Sequence, residues 1–360
     1  MATEIPARPA KVSADDLHAF CVAALTKVGV GAADARTVAD TLVMADTWGV
    51  FTHGTKLLHG YVRRLRGGGL RADARPAVVA DGPAWALVDG GSALGAVTSV
   101  FAMRVAFDKA RACGVGYAGV RNSCHFGAAG YYAQLAAAQD LIGLAMANDT
   151  PSVTAPGARG RVTGSNPFAY AVPTGSGRPI LLDMAISTVA GGKVIAADAL
   201  GKPVPPGWVV DRDGEPSTDP AAFLTGGALT PMAGYKGYGL ALLIETLSAL
   251  MTGALVTRQV LPWIVSDPAL PTGHGAAFLA IDVAALMPVE AFKQRVDALV
   301  HEIHEAPKAR GSERIYLPGE MEWERRERAL ADGIELPADV AASLRDLAAD
   351  LGLDASRILR

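Results

Sequence analysis

The chain has 360 residues, of which 50% are hydrophobic and 19% are charged, and it contains 40 glycines. These values exclude a disordered chain, and the formal net charge of -3 gives no basic excess for a nucleic-acid partner. The length predicts two domains, or one large domain with an intruding second layer. Three cysteines without a CxxC pair, Cys21, Cys113 and Cys124, favour a reducing compartment and predict a cytoplasmic protein.

The first 70 residues are predicted to be mainly helical. Ser13 shortly precedes two acidic residues, which is a helix-start signal, and apolar residues then recur at helical spacing from Ala19 to Val28. A second helix is predicted to end near Trp48. A third helix, within KLLHGYVRRLR, stops at glycines 67–69, because consecutive glycines disfavour a helix.

The pattern then alternates between strands and helices. Strands are predicted in AWALVDGG, VGYAGVRNS, LIGLAMAND and PILLDMAIST, and helices in AVTSVFAMRVAFDKARACG and GAAGYYAQLAAAQ. The apolar run 237–256 is long enough to span a membrane. However, it contains Glu245 and lacks a flanking basic cluster, so a buried helix is predicted instead.

The last part of the chain is predicted to contain the strand GAAFLAIDV, the amphipathic helix VEAFKQRVDALVHEIHEA and two further helices. The predicted fold class is α+β. Residues 116–256 are expected to form one domain. Residues 1–115 and 257–360 are expected to form a mainly helical outer domain from both chain ends.

Two familiar motifs are only partly matched. The glycines of DGGSALGAV (89–97) do not have the GxGxxG spacing, so an ordinary strand-to-helix turn is predicted and not a Rossmann phosphate loop. HEIHE (301–305) has its histidines at i and i+3 and lacks a third ligand, so an exposed helix face is predicted and not a metal site.

The segment RNSCHFGAAGYY (121–132) places His125 at a strand end, just before a helix that begins with small residues. Small residues let another molecule approach the free N–H groups of a helix N-terminus, which favour an anion or a carboxamide. The alternative is a histidine that only caps a tight turn. Cys124 is adjacent to His125, so a thiol nucleophile paired with this histidine is disfavoured.

Two further charged residues have two interpretations each. Asp183 lies in an apolar strand and needs a partner, either a histidine in an active site or backbone amides in a structural role. Lys236 lies in GYKGYG at the start of the apolar run. It is interpreted either as a phosphate contact or as an exposed lysine in a turn.

The ordered motifs THG, HFGAAGYY, GSNP, LDMAIST, GYKGYGLAL and PGE together resemble the malate/L-lactate dehydrogenase type 2 family of NAD(P)-dependent oxidoreductases. The resemblance runs from about residue 12 to about residue 355. It implies a homodimer with a non-Rossmann cofactor domain on a largely antiparallel sheet, assigned to residues 116–256. The outer domain then serves the substrate and the dimer. The implied reaction is hydride transfer between nicotinamide and C2 of a small 2-oxo or 2-hydroxy acid.

The resemblance also implies roles for individual residues. His53 matches the proton-donating histidine, His125 matches an acid/base histidine of some members, and Asp183 matches the acid near the catalytic histidine. Substrate-binding roles are implied for Thr52, Lys56, Tyr61 and Asn166. Contacts to NAD or NADP are implied for Asn148, Asp149, Asp183, Met184, Ala185, Ile186, Ser187, Thr188, Tyr235, Lys236, Gly319 and Glu320.

The chain departs from the family pattern at three positions. Leu57 replaces an arginine suited to a substrate carboxylate, Asp149 stands where serine is frequent, and Thr52 replaces a serine. One alternative is therefore a protein that binds the cofactor but has an altered substrate class or little activity. Another alternative is a metal-dependent lyase or hydrolase that uses scattered histidines. His59 has no matched role.

Overall fold

The computed structural model of the protein describes residues 11–359, so the first ten residues of the predicted outer domain lie outside the described part. Ser13 caps the first helix, because its side chain accepts a hydrogen bond from the N–H of Asp16. The helical N-terminal region is confirmed. It comprises β1 (Lys11–Val12), α1 (Ala14–Lys27), α2 (Ala32–Thr47), 3-10 turns at Phe51–His53 and Thr55–Leu57, and α3 (Leu58–Gly67).

The rest of the described chain alternates between strands and helices. The further strands are β2 (Ala77–Asp81), β3 (Trp85–Asp89), β4 (Val115–Ser123), β5 (Leu141–Ala147), β6 (Phe168–Val172), β7 (Ile180–Met184), β8 (Val209–Val210), β9 (Pro216–Ser217), β10 (Ala228–Leu229), β11 (His274–Asp282) and β12 (Ile334–Glu335). The further helices are α4 (Gly95–Cys113), α5 (Ala129–Ala137), α6 (Gly191–Ala199), α7 (Ala221–Leu224), α8 (Tyr235–Glu245), α9 (Val289–His304), α10 (Glu320–Asp332) and α11 (Ala338–Leu351).

A mixed sheet of seven strands forms the centre of the fold, in the order β2-β3-β4-β11-β5-β6-β7. The β3–β4 pair is parallel, and the other neighbours are antiparallel. β11 comes late in the chain but lies between β4 and β5, where Phe278 is paired with Ala118 on one side and Ala145 on the other. The predicted combination of sheet and helices is confirmed.

The two faces of the sheet are covered by different helices, because successive strand residues point to opposite sides. Phe278, Ala276 and Ala280 of β11 pack under α4 and α5, where Tyr132 is fully buried. On the opposite face, Ala277 and Met146 pack against Ile244 of α8. The residues of the site described below follow strands of this sheet or lie in turns beside it.

The two ends of the described chain pack together. β1 pairs with β12, and Leu17, Leu42, Leu58 and Leu344 from four helices share one buried cluster. The predicted domain limits stay a prediction. The central sheet includes β2, β3 and β11, which come from outside residues 116–256.

The apolar run 237–256 is not buried on all sides, so this part of the prediction is wrong. α8 is followed by a π-helical turn at Thr246–Leu250, and only its sheet-facing side, including Ala241 and Ile244, is buried. A run that is apolar all round does not indicate which side faces outward. No helix among residues 11–359 has the length and apolar character needed to cross a membrane. The exposed large apolar side chains of this run are Leu240, Leu242, Leu243, Leu250, Met251 and Leu255.

A small subdomain lies beside the main sheet. β8, β9 and β10 form a three-stranded antiparallel sheet, and Val194 of α6 and Phe223 of α7 pack in its core. This packing fixes the start of α6 next to the cavity described below.

Candidate active site

His53 lies in the 3-10 turn between α2 and α3, and its ring is half-buried. The Oγ1 atom of Thr52 lies 3.0 Å from its Nδ1 atom. The turn is held from below by the buried Asp46, which accepts hydrogen bonds from the N–H of Thr55 at 3.1 Å and from its hydroxyl at 2.6 Å. A Cβ on Gly54 would lie 1.7 Å from Asp46 Oδ1, so the residue after His53 must be a glycine.

The structure brings His125 next to His53. The two rings are stacked with their centroids 5.8 Å apart, and the His125 ring also stacks on Trp263, with its centroid 4.6 Å away. The hydroxyl oxygen of Tyr61 lies 2.9 Å from Nδ1 of His125, and the Tyr61 ring also stacks on Trp263. His125 therefore does more than cap a turn, because its ring belongs to a stacked aromatic group and borders the cavity described below.

Trp263 is held in place by a buried guanidinium group. Arg64 of α3 is fully buried and donates hydrogen bonds to the backbone carbonyls of Trp263 and Leu270, the latter at 2.9 Å. Because an arginine is rarely buried without partners, these carbonyls account for its position. No sequence motif marks Trp263. Its only signal was a large aromatic residue in a proline-rich loop.

Burial controls the charge of both histidines. It lowers the pKa of His53, and the negative charge of Asp149 opposes this shift in part. Burial also lowers the pKa of His125 to about 3, with a further contribution from His53. Burial raises the pKa of Tyr61 well above its usual range, so its hydroxyl keeps the proton. Tyr61 can therefore donate to Nδ1 of His125, which leaves the hydrogen of the neutral ring on Nε2.

A histidine–carboxylate contact lies in the same site. Nε2 of His274, the first residue of β11, is 3.3 Å from Oδ1 of Asp149, and its Nδ1 is 2.8 Å from Oγ1 of Thr272. Burial acts to raise the pKa of Asp149. The hydrogen bond and charge of His274, the charge of His125 and the N–H of Thr150 outweigh it, so the pKa is lowered. His274 was missed in the sequence, where it only begins an apolar strand.

The polar residues behind Asp149 form a buried network. Asn166 accepts a hydrogen bond from the N–H of Asp149 at 3.2 Å and donates one to Glu245 at 2.9 Å. Asn148 accepts from the N–H of Gly275 at 2.8 Å and donates to Glu245 at 3.3 Å. Glu245 is the charged residue inside the apolar run. It accepts hydrogen bonds from the two asparagines, which in turn bind the backbone of cavity-lining residues.

Asp183, at the end of β7, opens onto the cavity. It accepts a hydrogen bond from the N–H of Gly130 at 2.8 Å, at the start of α5. Burial raises its pKa to about 6, and the charge of Glu322 adds to the rise, while the Gly130 hydrogen bond opposes it. Of the two partners expected for Asp183, a histidine or backbone amides, the described residues supply a backbone amide, the N–H of Gly130. The histidine-bonded carboxylate of this site is Asp149.

The histidines border a cavity of about 470 Å³. The lining includes many of the predicted residues and others that were not predicted. The predicted ones are Thr52, His53, His125, Asn148, Asp149, Asp183, Met184, Ala185 and Gly319. Trp48, Phe126, Ser165, His274 and Glu322 are among the additional ones. Glu322 lies close to Gly319 in sequence, and this proximity was the only available signal for it.

The other predicted residues lie outside this lining. Lys56 is exposed and forms an ion pair with Asp339 at 2.6 Å, while Leu57 is buried in the helical core. Tyr61 lies behind His125, and Asn166 is fully buried. Glu320 lies 2.9 Å from His304. Ile186 and Ser187 are buried, whereas Thr188, Tyr235 and Lys236 are exposed.

The first turn of α6 also borders the cavity. Gly191 and Gly192 begin this helix, and no side chain caps it. A Cβ on Gly192 would lie 3.3 Å from Cγ2 of Thr52, so glycine lets the helix approach the His53 turn closely. Uncapped N–H groups at a helix start attract anions. No group of three or more His, Cys, Asp or Glu residues suited to a metal ion occurs between residues 11 and 359.

Comparison with known proteins assigns the chain to a family. The family model of malate/L-lactate dehydrogenase matches residues 12–345, which is nearly the whole chain. The chain belongs to the malate/L-lactate dehydrogenase family. The resemblance seen in the ordered motifs is confirmed, and so is the prediction of an oxidoreductase.

Individual relatives agree with this assignment. A malate dehydrogenase from Pyrococcus horikoshii is 37% identical over 351 residues, which is 96% of each chain. A ureidoglycolate dehydrogenase (NAD(+)) from Escherichia coli is 33% identical over 331 residues, 92% of this chain and 93% of the relative. The solved structure of sulfolactate dehydrogenase from Methanocaldococcus jannaschii has a TM-score of 0.90 at 36% identity and covers 98% of this chain and 100% of that chain.

Proposed function

We propose that this protein is an NAD(P)-dependent oxidoreductase that transfers a hydride between nicotinamide and C2 of a small 2-oxo or 2-hydroxy acid. The observation that carries the proposal is the stacked pair of His53 and His125, which borders one cavity together with Asp183 and the uncapped start of α6. The names of the relatives, dehydrogenases of malate, ureidoglycolate and sulfolactate, support the same class of substrate.

The residues of the cavity fit a nicotinamide dinucleotide, although the sequence lacks a Rossmann fingerprint. The N–H groups of Gly191 and Gly192 would hold the pyrophosphate, because that helix start has no cap of its own. Asp183, Met184 and Gly319 would hold the nicotinamide half. When bound, the cofactor supplies or accepts the hydride. We propose that the central, mostly antiparallel sheet carries this cofactor site.

His53 is proposed as the residue that exchanges a proton with the substrate oxygen. During reduction, protonated His53 donates to the oxygen on which negative charge develops. Asp149 favours this protonated form by its negative charge. Neutral His125, with its hydrogen on Nε2, donates a hydrogen bond to the same oxygen, since Tyr61 occupies its Nδ1. The nearby Thr52 hydroxyl holds the ring of His53 through Nδ1.

A substrate panel tests the proposal. Small 2-oxo acids are mixed with NADH or NADPH, and loss of the reduced cofactor is followed by absorbance. We expect turnover with at least one acid. The His53→Ala variant should lose at least about 100-fold in kcat/KM, the range of a general acid. His59→Ala is the matched control, since His59 is also half-buried but does not line the cavity. Absence of turnover, or equal rates for both variants, would contradict the proposal.

The buried Leu57 favours a second candidate function, a protein that binds the cofactor but turns over little substrate. Cofactor fluorescence separates the two functions. In the first case, titration with NADH shows binding and the substrate panel shows turnover. In the second case, titration shows binding, and none of the acids is reduced.

We also propose that the protein is a homodimer and that the exposed apolar side of α8 and its π-helical turn forms the interface. Leu243 and Leu250 are 53% and 62% exposed, a state that association would relieve. The family resemblance implies the same oligomer. In sedimentation, Leu243→Glu should shift the protein to a monomer. Leu286→Glu, at an exposed leucine outside α8 and its turn, should not.

The three cysteines are free, and Cys21 and Cys124 are buried. We infer from this that the protein works in a reducing compartment, the cytoplasm. Thermal unfolding with and without a thiol reductant should give the same midpoint.

A further inference from the structure

The charges that line the cavity are mostly negative. Asp149, Asp183 and Glu322 contribute carboxylates, and no lysine or arginine occurs in the lining among residues 11–359. Leu57 stands where the family resemblance implies an arginine, and it is buried in the helical core. The neighbouring Lys56 is engaged by Asp339 at 2.6 Å. A second acidic group on a substrate therefore meets no lysine or arginine of the described residues there, and His274, which also lines the cavity, already contacts Asp149 at 3.3 Å.

Asp149 is a fixed charge in this wall. Its Oδ1 atom accepts a hydrogen bond from the N–H of Thr150 at 2.7 Å and lies 3.3 Å from Nε2 of His274. Its Oδ2 atom accepts a hydrogen bond from the hydroxyl of Ser165 at 3.3 Å. About 30% of the side chain is exposed, so part of the carboxylate still faces the cavity. The anion is held in place and cannot swing away from an approaching negative charge.

Asp149 also lies near the reacting position. His53 and His125 line the same cavity, and the charge of Asp149 acts on both rings. A substrate held with its C2 oxygen at these histidines would place the rest of its chain in the field of Asp149. Like charges brought together in a partly buried site repel each other and weaken binding.

We propose that Asp149 is a specificity-determining residue that selects 2-oxo acids whose side chain is neutral or positively charged and rejects those with a second acidic group. This inference rests on the proposed function and adds the substrate class to it. The proposed selectivity distinguishes this chain from relatives named for malate and sulfolactate. Malate and sulfolactate each carry two acidic groups.

The test compares two acids of equal shape. Oxaloacetate carries a second carboxylate, and 4-methyl-2-oxopentanoate has an apolar group of similar size in its place. We expect wild-type kcat/KM to be higher for 4-methyl-2-oxopentanoate by roughly 10- to 100-fold, in line with the cost of like charges. Asp149→Asn keeps the shape and removes the charge, so it should reduce this ratio by about 10-fold. Because both acids undergo the same chemistry, a general loss of activity cancels in the ratio.

Two further variants complete the test. Asp149→Ser removes the carboxylate altogether and should reduce the ratio as Asp149→Asn does. Asp73→Asn makes the same chemical change at an exposed aspartate outside the cavity and should leave the ratio unchanged. Circular dichroism checks that each variant is folded.

Three results would overturn the inference. One is wild-type protein that reduces oxaloacetate as well as the apolar acid. Another is an Asp149→Asn variant with an unchanged ratio of kcat/KM for the two acids and an altered KM for the reduced cofactor. That result would show that Asp149 acts on the cofactor and not on the substrate. Both leave the proposed function intact. If neither these acids nor any other small 2-oxo acid is reduced by wild-type protein with NADH or NADPH, the proposed function fails and this inference fails with it.

Discussion

Asp46 and Gly54 are matched to each other across the turn that carries His53. The carboxylate of Asp46 is 1% exposed and fills the space beside Gly54, where a Cβ would lie 1.7 Å from Oδ1. The other carboxylate oxygen holds Thr55 through two hydrogen bonds. The position of His53 is therefore set by a buried acid that does not line the cavity.

Replacing Gly54 tests this relationship. In Gly54→Ala the new methyl group overlaps the Asp46 carboxylate, so the turn must move and carry His53 with it. We expect kcat/KM to fall by roughly 100-fold, the scale of a misplaced catalytic group, and the protein to lose about 1–3 kcal/mol of stability. The control is Gly239→Ala in α8, where no atom lies within 4 Å. Activity unchanged in Gly54→Ala would show that Asp46 does not position the turn.

The charge of Asp46 predicts a pH dependence of stability. Burial raises its pKa from 3.8 to about 7, while the hydrogen bonds of Thr55 oppose the rise. Because the folded pKa lies above the unfolded one, its contribution to stability is full below pH 3.8 and is lost as the pH rises towards about 7. Asp46→Asn does not titrate, so wild type should lose Tm relative to this variant as the pH rises from 4 to 7. A difference that stays constant across this interval would contradict the prediction.

The reaction itself should depend on pH in opposite ways for its two directions. Reduction needs protonated His53 and oxidation needs the neutral ring, and burial lowers the pKa of His53 from 6.5. Reduction should therefore slow as the pH rises through a pKa below 6.5, and oxidation should slow as the pH falls through it. Asp149→Asn removes a charge that raises this pKa, so both kcat/KM profiles should move to lower pH. Profiles that coincide with those of wild type would remove Asp149 from the surroundings of His53.

Tyr61 is expected to act through His125. Tyr61→Phe keeps the ring on Trp263 but removes the hydroxyl that fixes the tautomer of His125. We expect kcat to fall by about 10-fold, in keeping with the loss of one positioned hydrogen bond of about 1.5 kcal/mol. The KM for the reduced cofactor and the far-ultraviolet circular dichroism should not change. A variant with full kcat would show that His125 is oriented without Tyr61.

The sequence predicted much of this arrangement where the signal is local. The strands β4 and β5 were predicted from short apolar runs and the helices α4 and α5 from their own local patterns, and the structure contains all four. The THG and HFGAAGYY motifs led to His53 and His125, which the structure stacks side by side. Such motifs are short, so the relative positions of their residues depend on neighbouring residues and not on distant parts of the chain.

The remaining features depend on contacts that are distant in sequence. Trp263 and His274 enter the site because β11 inserts between β4 and β5, which no local pattern shows. A histidine was one of two expected partners for Asp183, but the structure gives Asp183 the N–H of Gly130. The outward side of α8 was also missed, because an all-apolar helix carries no polar side to mark its exposure.

The proposed reaction is direct hydride transfer to C2 of a 2-oxo acid. Transfer of deuterium from the reduced cofactor to the product tests this reaction directly. Reduced cofactor carrying deuterium at both C4 positions is mixed with the protein and a substrate acid, and the product is examined by mass spectrometry and proton NMR. We predict a 2-hydroxy acid that is one mass unit heavier and has lost its C2 proton signal. Oxidation of the cofactor without deuterium at C2 of the product, or no oxidation with any acid tested, would contradict the account.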